Sequence, residues 1–218
     1  MRASVSVRVQ ALLNIMFVVL GLGSNKSFAS LDSLHLLAGA CVLLEPLFSD
    51  FAFSSVYRTK PMYVTEQSDF YNMAVSGCTE LSAHELLSKI HEIEAFLGRD
   101  RKSEIRNGPR SIDIDIELFG NEEIHFSDSS DPMKNLEIPH PRLSERAFVL
   151  IPLLEVLSPD ADIQKRDFME KSLAQIGNQG VEKLLDSGDF ASVIAETEAQ
   201  YGRTDSCTVT GSRKSNAD

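Results

Sequence analysis

The sequence predicts an α+β sandwich, and three observations carry that expectation. Candidate strands and helices interleave along the 218 residues without the regular alternation that builds a parallel sheet. One segment, Ile112 to Phe119, alternates apolar and polar side chains with a period of two, as a strand with one face on a core does. Hydrophobic content of 43% and charged content of 24% supply a sizeable core without metal or disulfide support. The length suits one medium-sized domain with appendages. We expect an extension over residues 1–15, a domain over 16–186, and a tail over 187–218 that is largely disordered. From Gly202 onward that tail is rich in Ser, Thr and charge.

The first element is the apolar run Phe17-Val18-Val19-Leu20-Gly21-Leu22. It fits a buried strand, although Arg2, Arg8 and the later Ser27-Phe28-Ala29 also fit a secretory signal peptide. Its continuously apolar part is too short for a comfortable membrane span. Gly23-Ser24-Asn25 is a turn signal, followed by a helix over Leu31 to Leu44. Phe51 to Arg58 is expected as one strand, broken at Thr59-Lys60-Pro61, and Phe70 to Cys78 as the next. Ser82 to Leu97 is the clearest helix: Ser82 and Glu85 make a capping-box pair, and Leu86, Ile90, Ile93 and Leu97 share a face. Gly98 stops it. A loop over Arg99 to Arg110 precedes the alternating strand, in which Ile112, Ile114, Ile116 and Leu118 are expected on one face. Ser111, Asp113, Asp115 and Glu117 are expected on the other. Asn121 to Asn135 is a polar loop or hairpin, and Ile138-Pro139-His140-Pro141-Arg142 is extended and proline-stiffened. Phe148 to Leu157 is an apolar segment, and Asp167 to Leu185 is expected to be helical.

A net charge of −11 argues against general binding to nucleic acid or anionic membranes. Cys41, Cys78 and Cys207 are widely spaced and odd in number, which fits a reducing compartment. No Gly-x-Ser-x-Gly elbow and no cysteine nucleophile context occurs, so covalent catalysis is not suggested. His84, His91 and Glu94 share a helix without the HExxH zinc spacing. Gly21 to Ser27 lacks the P-loop spacing, and a glycine pair of this kind usually makes a turn.

The informative pattern is Asp113 and Asp115 side by side on one strand face, where like charges repel. A wetted polar face explains it, and so does a bound cation. Ahead of the pair, Arg99, Arg101, Lys102, Arg106 and Arg110 outnumber Asp100 and Glu104, a basic exception in an acidic chain. Composition alone suits an exposed, salt-bridged loop. The chemistry also suits a polyphosphate bridged by metal, because arginine forks bind phosphate oxygens and Mg²⁺ takes one or two carboxylates plus phosphate and water.

The order of segments resembles one family. Leu22-Gly23-Ser24-Asn25, Tyr57-Arg58-Thr59-Lys60-Pro61 and Gln67 through Phe70 to Asn72 come first. Ile93-Glu94-Ala95-Phe96-Leu97-Gly98-Arg99, Gly108-Pro109-Arg110-Ser111-Ile112-Asp113-Ile114-Asp115 and Ile138-Pro139-His140-Pro141-Arg142 with Arg146 and Phe148 follow. Together they are similar to the 6-hydroxymethyl-7,8-dihydropterin pyrophosphokinases of folate biosynthesis, over roughly residues 17 to 160. The resemblance implies an α+β fold with a ferredoxin-like core, an antiparallel sheet with helices packed against it, filling the domain over 16–186. It implies a transferase, an ATP-dependent diphosphokinase that moves pyrophosphate from ATP to the pterin hydroxymethyl group and releases AMP. Asp113 and Asp115 would hold two Mg²⁺ ions. Arg99 and Arg110 would act on the triphosphate, with Glu94, Arg101, His140 and Arg146 on the ATP side. Thr59, Phe70, Asn72 and Phe148 would bind the pterin. The implied partners are ATP and a reduced pterin, with no nucleic acid and no membrane, in a cytoplasmic monomer open to association with another folate-pathway enzyme. The other outcome is a non-catalytic relative that binds nucleotide or pterin. Tyr63 stands where the family usually has glycine, Lys60 where proline or an acidic residue is typical, and Asn107 where tryptophan is frequent.

Overall fold

The structure, a computed structural model, describes residues 15–62, 65–101, 104–105, 108–157 and 163–205. The apolar run near the start is the middle of β1 (Met16–Ser24), which is paired along both edges. It runs antiparallel to β4 (Phe70–Thr79) on one side and to β5 (Asp113–Phe119) on the other. Val18, Val19 and Leu20 are fully buried, so the strand is apolar without alternation because both its faces are covered. Gly21-Leu22-Gly23 therefore lies inside a strand, where the sequence suggests a turn.

The remaining elements build a ferredoxin-like core around that axis. α1 (Ser33–Leu44) starts at Asp32, whose carboxylate accepts the His35 N–H at 3.0 Å. α2 (Ala83–Phe96) carries the expected capping box between Ser82 and Glu85. The single strand expected over Phe51 to Arg58 is two, β2 (Ser49–Phe53) and β3 (Val56–Thr59), both antiparallel to β4. Ser54 causes the break. Its N–H donates to Ala74 O while its hydroxyl accepts the Ala74 N–H, both at 2.9 Å, so the side chain replaces ladder bonding at this step. The principal sheet order is β5-β1-β4-β3, and β2 also lies against β4.

Two apolar layers cover the two faces. α1 and α2 pack Leu36, Leu37, Leu86 and Ile90 against Val18, Leu20, Leu22, Ile112, Ile114 and Ile116. On the opposite face, α3 (Ala147–Val156) and α4 (Ile163–Ile176) pack Val149, Leu150, Leu153 and Met169 against Val19, Ala74 and Leu118. Leu118 thus departs from the face expected for it. Val19 pairs with Leu118 and Leu20 with Ile116, which leaves Glu117 as the extra residue of a bulge. The bulge resets the alternation, so Leu118 joins the α3 side and Phe119 the α1 side.

The polar segment after β5 contains β6 (Ile124–Phe126), antiparallel to β7 (Leu136–Ile138). The helix expected through Leu185 ends at Ile176. Gly177, Gln179 and Gly180 all have positive φ, and β8 (Glu182–Leu185) then adds to the sheet beside β3. Residues 187–205 correct the expectation of a disordered tail. Ser187–Asp205 is α5, which packs on α1. Phe190, fully buried, with Val193 and Ile194 forms an apolar stripe that the polar composition around it conceals.

Candidate active site

On the sheet face toward α3, β1 presents two glycines, each beside an aspartate of β5. Gly23 lies between Asn72 of β4 and Asp113 of β5, and Gly21 between Ala74 and Asp115. A Cβ on Gly21 would stand 2.9 Å from Glu117 Oε1, and one on Gly23 would stand 3.3 Å from Asn72 Oδ1. The absent side chains leave a trough along the central strand, whose walls are carboxylates on one side and an amide on the other. The trough opens into a cavity also lined by Thr59, Phe70, Arg110, Glu117, Arg146 and Phe148.

All four residues expected around a heterocycle, Thr59, Phe70, Asn72 and Phe148, line this cavity. The buried Asn72 amide donates to Thr59 Oγ1 at 2.9 Å, which fixes its orientation toward Gly23. The Arg110 guanidinium lies 6.0 Å from the Phe70 ring centroid, and that of Arg146 lies 5.6 Å from the Phe148 centroid. Arg146, expected with the nucleotide residues, therefore lines the heterocycle cavity. Lys60 is at its mouth and is ion-paired with Asp69 at 2.9 Å. Tyr63 and Asn107 lie outside the described residues.

The acidic wall is held by arginines. Asp113 accepts from Arg99 Nη1 on one oxygen and from Arg110 Nη1 on the other. Burial raises the proton affinity of Asp113, but these two guanidiniums outweigh it and hold the carboxyl below its ordinary range. Asp115 goes the other way. Burial first, then the charges of Asp113 and Glu94, push it up to about 7. Two adjacent carboxylates whose proton affinities diverge this way would both be stabilised by a cation between them. Both offer hard oxygens on the trough face. Among the described residues no three His, Cys, Asp or Glu side chains converge as an all-protein cage. The donor set therefore fits Mg²⁺, which completes its shell with phosphate and water, better than a fully caged metal.

Behind this wall stands Glu94, the last acidic residue of α2. It is 1% exposed and lines neither cavity, although the sequence places it among the ATP contacts. Its Oε1 accepts from Arg99 and from the Ile114 N–H at 2.9 Å. Its Oε2 accepts Arg101 Nε at 2.8 Å and pairs with Nη2 at 2.6 Å. The geometry makes it an anchor for the two arginines and for β5.

A second cavity adjoins the first and is lined by His91, Arg101, Ile114, Asp115, Ile116 and His140, among others. Asp115 lines both cavities. Burial and the charges of Arg101 and Arg99 push His91 down to about 4, so it is neutral at physiological pH. Burial, then Arg146, likewise lowers His140, whose Nδ1 accepts the Arg142 N–H at 3.3 Å.

Asn25 and Glu117 carry no site role in the sequence reading. The Asn25 side chain donates to Gln67 Oε1 at 3.0 Å and to Ser68 O at 3.1 Å, and accepts the Arg110 N–H at 2.9 Å. It thereby ties the segment before Phe70 to the segment carrying Arg110. Its place directly after Gly-Ser at the end of an apolar run is the signal that could have found it. Glu117 is 1% exposed, and burial followed by the Asp115 charge raises its proton affinity well above the ordinary range. The expected alternation put it on the right face, but only the bulge shows where it goes.

Comparison with known proteins identifies the family. The family model described as 7,8-dihydro-6-hydroxymethylpterin-pyrophosphokinase (HPPK) matches residues 19–158. A 2-amino-4-hydroxy-6-hydroxymethyldihydropteridine pyrophosphokinase of Methylorubrum extorquens is 41% identical over 167 residues, 76% of this chain and 96% of that protein. The mitochondrial folate synthesis bifunctional protein of Arabidopsis thaliana is 42% identical over 150 residues, 66% of this chain but 24% of the relative. The chain thus spans about a quarter of that plant protein. The Bacillus subtilis enzyme of the same name as the Methylorubrum one is 46% identical over 103 residues, 47% of this chain and 56% of its own. In fold alone, the chain is similar to Plasmodium falciparum HPPK-DHPS, with a TM-score of 0.56 at 16% identity over 78% of this chain and 46% of that one. With the model matched across the sheet, the glycine trough and the paired aspartates, the chain belongs to the 7,8-dihydro-6-hydroxymethylpterin-pyrophosphokinase family.

Proposed function

We propose that this chain transfers pyrophosphate from ATP to the hydroxymethyl group of 6-hydroxymethyl-7,8-dihydropterin, giving AMP and the pterin diphosphate in folate biosynthesis. The observation that carries the proposal is the position of Asp113 and Asp115 on the trough face, with Asp115 common to an aromatic, amide-lined cavity and to a second cavity carrying Arg101 and His140. A flat, neutral heterocycle suits the first cavity: Phe70 and Phe148 supply apolar rings, and Asn72 with Thr59 supplies an oriented amide. The nucleotide suits the second, where Arg101 and His140 face it. The acceptor hydroxyl and the phosphate chain would then meet at the shared carboxylates.

Asp113 and Asp115 would hold two Mg²⁺ ions, which supply charge neutralisation on the phosphates and acidify the attacking hydroxyl. Arg99 and Arg110 already point at Asp113, so they are placed to stabilise charge on the transferred group. Glu94 orients Arg99 and Arg101, and Asn25 keeps the Arg110 segment against the pterin side. Association with another folate-pathway enzyme is part of this proposal, supported by relatives whose names include bifunctional folate synthesis proteins. So is a cytoplasmic location; no helix among the described residues is long and apolar enough to cross a membrane.

The test is incubation with ATP, Mg²⁺ and the reduced hydroxymethylpterin, followed by assay for AMP and pterin diphosphate. Formation of both in equal amounts is expected. Folded protein that binds both substrates and releases no AMP would show a non-catalytic binding relative instead.

A further inference from the structure

Glu117 has no part in the chemistry above, and its setting is costly for a carboxyl. The side chain is 1% exposed, and Oε2 has no hydrogen-bond partner among the described residues. It nonetheless lines the trough cavity, together with Arg146, whose buried Nε is also without a partner. The carboxyl lies over the bare backbone of Gly21. A Cβ there would stand 2.9 Å from Oε1 and 3.3 Å from Cγ, so any larger residue would push Glu117 away. An apolar side chain at this position would carry no such polar cost. A carboxyl oxygen buried without a hydrogen-bond partner carries a desolvation penalty that a ligand donor would offset.

We propose that Glu117 is a specificity-determining residue of the trough: its carboxyl accepts a hydrogen bond from a ring N–H of the bound heterocycle, and Gly21 provides the space it needs. The inference rests on the pterin occupying this cavity. Asn72 and Thr59 meet the heterocycle from the β4 side, and Glu117 meets it from the β5 side at the floor. A planar ring system bearing N–H groups on more than one edge is what two such opposed polar groups select.

The experiment titrates the wild-type protein and variants with 6-hydroxymethyl-7,8-dihydropterin by fluorescence, without ATP or Mg²⁺, and separately with a non-hydrolysable ATP analogue. Glu117→Leu should weaken pterin binding about tenfold, the scale of one lost hydrogen bond in a buried site. Gly21→Ala should weaken it to a similar extent in the wild-type background and add nothing in the Glu117→Leu background, because it acts by displacing that carboxyl. Nucleotide affinity should change by less than roughly threefold in either variant. Glu117→Gln keeps the size and an acceptor oxygen, so it should fall between wild type and Glu117→Leu. It carries the test if the leucine variant does not fold. Pterin affinities within roughly twofold of wild type in the folded variants would overturn the proposal. Equal losses for pterin and nucleotide would do the same, since they would mark a general disturbance. Failure of the wild-type protein to bind the pterin would instead overturn the assignment of this cavity, and the inference with it.

Discussion

Asp113 and Asp115 differ by two positions and occupy opposite electrostatic situations. Asp113 is pinned between Arg99 and Arg110, while burial and neighbouring negative charge raise Asp115 to about 7. Replacing each with Asn should therefore separate function from stability. Both variants should lose about two to three orders of magnitude in AMP formation, the scale of removing a charge-stabilising group. Asp113→Asn should lower the melting temperature, because it leaves two guanidiniums without their carboxylate. Asp115→Asn should hold or raise it, because a repelled, desolvated charge is removed. The His91 imidazole gives a pH prediction. Its folded value of about 4 lies below the ordinary 6.5 of the unfolded chain, so the unfolded state takes up a proton first as the pH falls. Its neutral packing thus favours the fold fully above pH 6.5, and that contribution is lost between 6.5 and 4. Denaturant titrations should show wild type losing more stability across that window than His91→Gln. Paired aspartates were legible in the sequence because two-residue alternation survives in any strand. The anchoring position of Glu94 is not legible, because spacing reveals which residues share a helix, not which carboxylate is covered by two arginines.

Among the elements, those fixed by local chemistry followed the sequence most closely. α2 is capped by Ser82 because its capping box needs only four consecutive residues, and β1 is apolar up to Gly23 because it is central. Elements that depend on a distant partner were harder to read. The break between β2 and β3 rests on Ser54 reaching Ala74, and the change of face at Leu118 rests on a register shift against β1. α5 was hidden by composition: its polar exposed face resembles the tail beyond it, and only the stripe around Phe190 reports burial. Phe190→Ala should cost about 3–5 kcal/mol, as for a large aromatic removed from a packed core. Urea unfolding would measure this. Such a loss, with binding of pterin retained, would identify α5 as part of the folded domain; a loss within experimental error would show that the helix is dispensable.

At the scale of the whole molecule, an acidic chain of net charge −11 concentrates guanidiniums around one acidic wall. A divalent cation carrying a nucleotide brings both of the charges that such a wall can use. Mg²⁺ together with a non-hydrolysable ATP analogue should stabilise the fold by about 2.7 kcal/mol at a hundred times Kd, seen as a rise of several degrees in Tm. The analogue with EDTA should give a clearly smaller rise; an equal one would show that the metal contributes nothing to binding. The central placement of β1 has a consequence measured in time. Gly21 and Gly23 combine the most permissive residue type with the most enclosed strand, so the floor of the trough opens only when the sheet itself comes apart. In native-state hydrogen exchange, the Leu20 and Leu22 amides should be among the last to exchange. Amides in the segment leading to Phe70 should exchange orders of magnitude sooner, giving a site whose base is as slow as global unfolding and whose rim renews itself far faster.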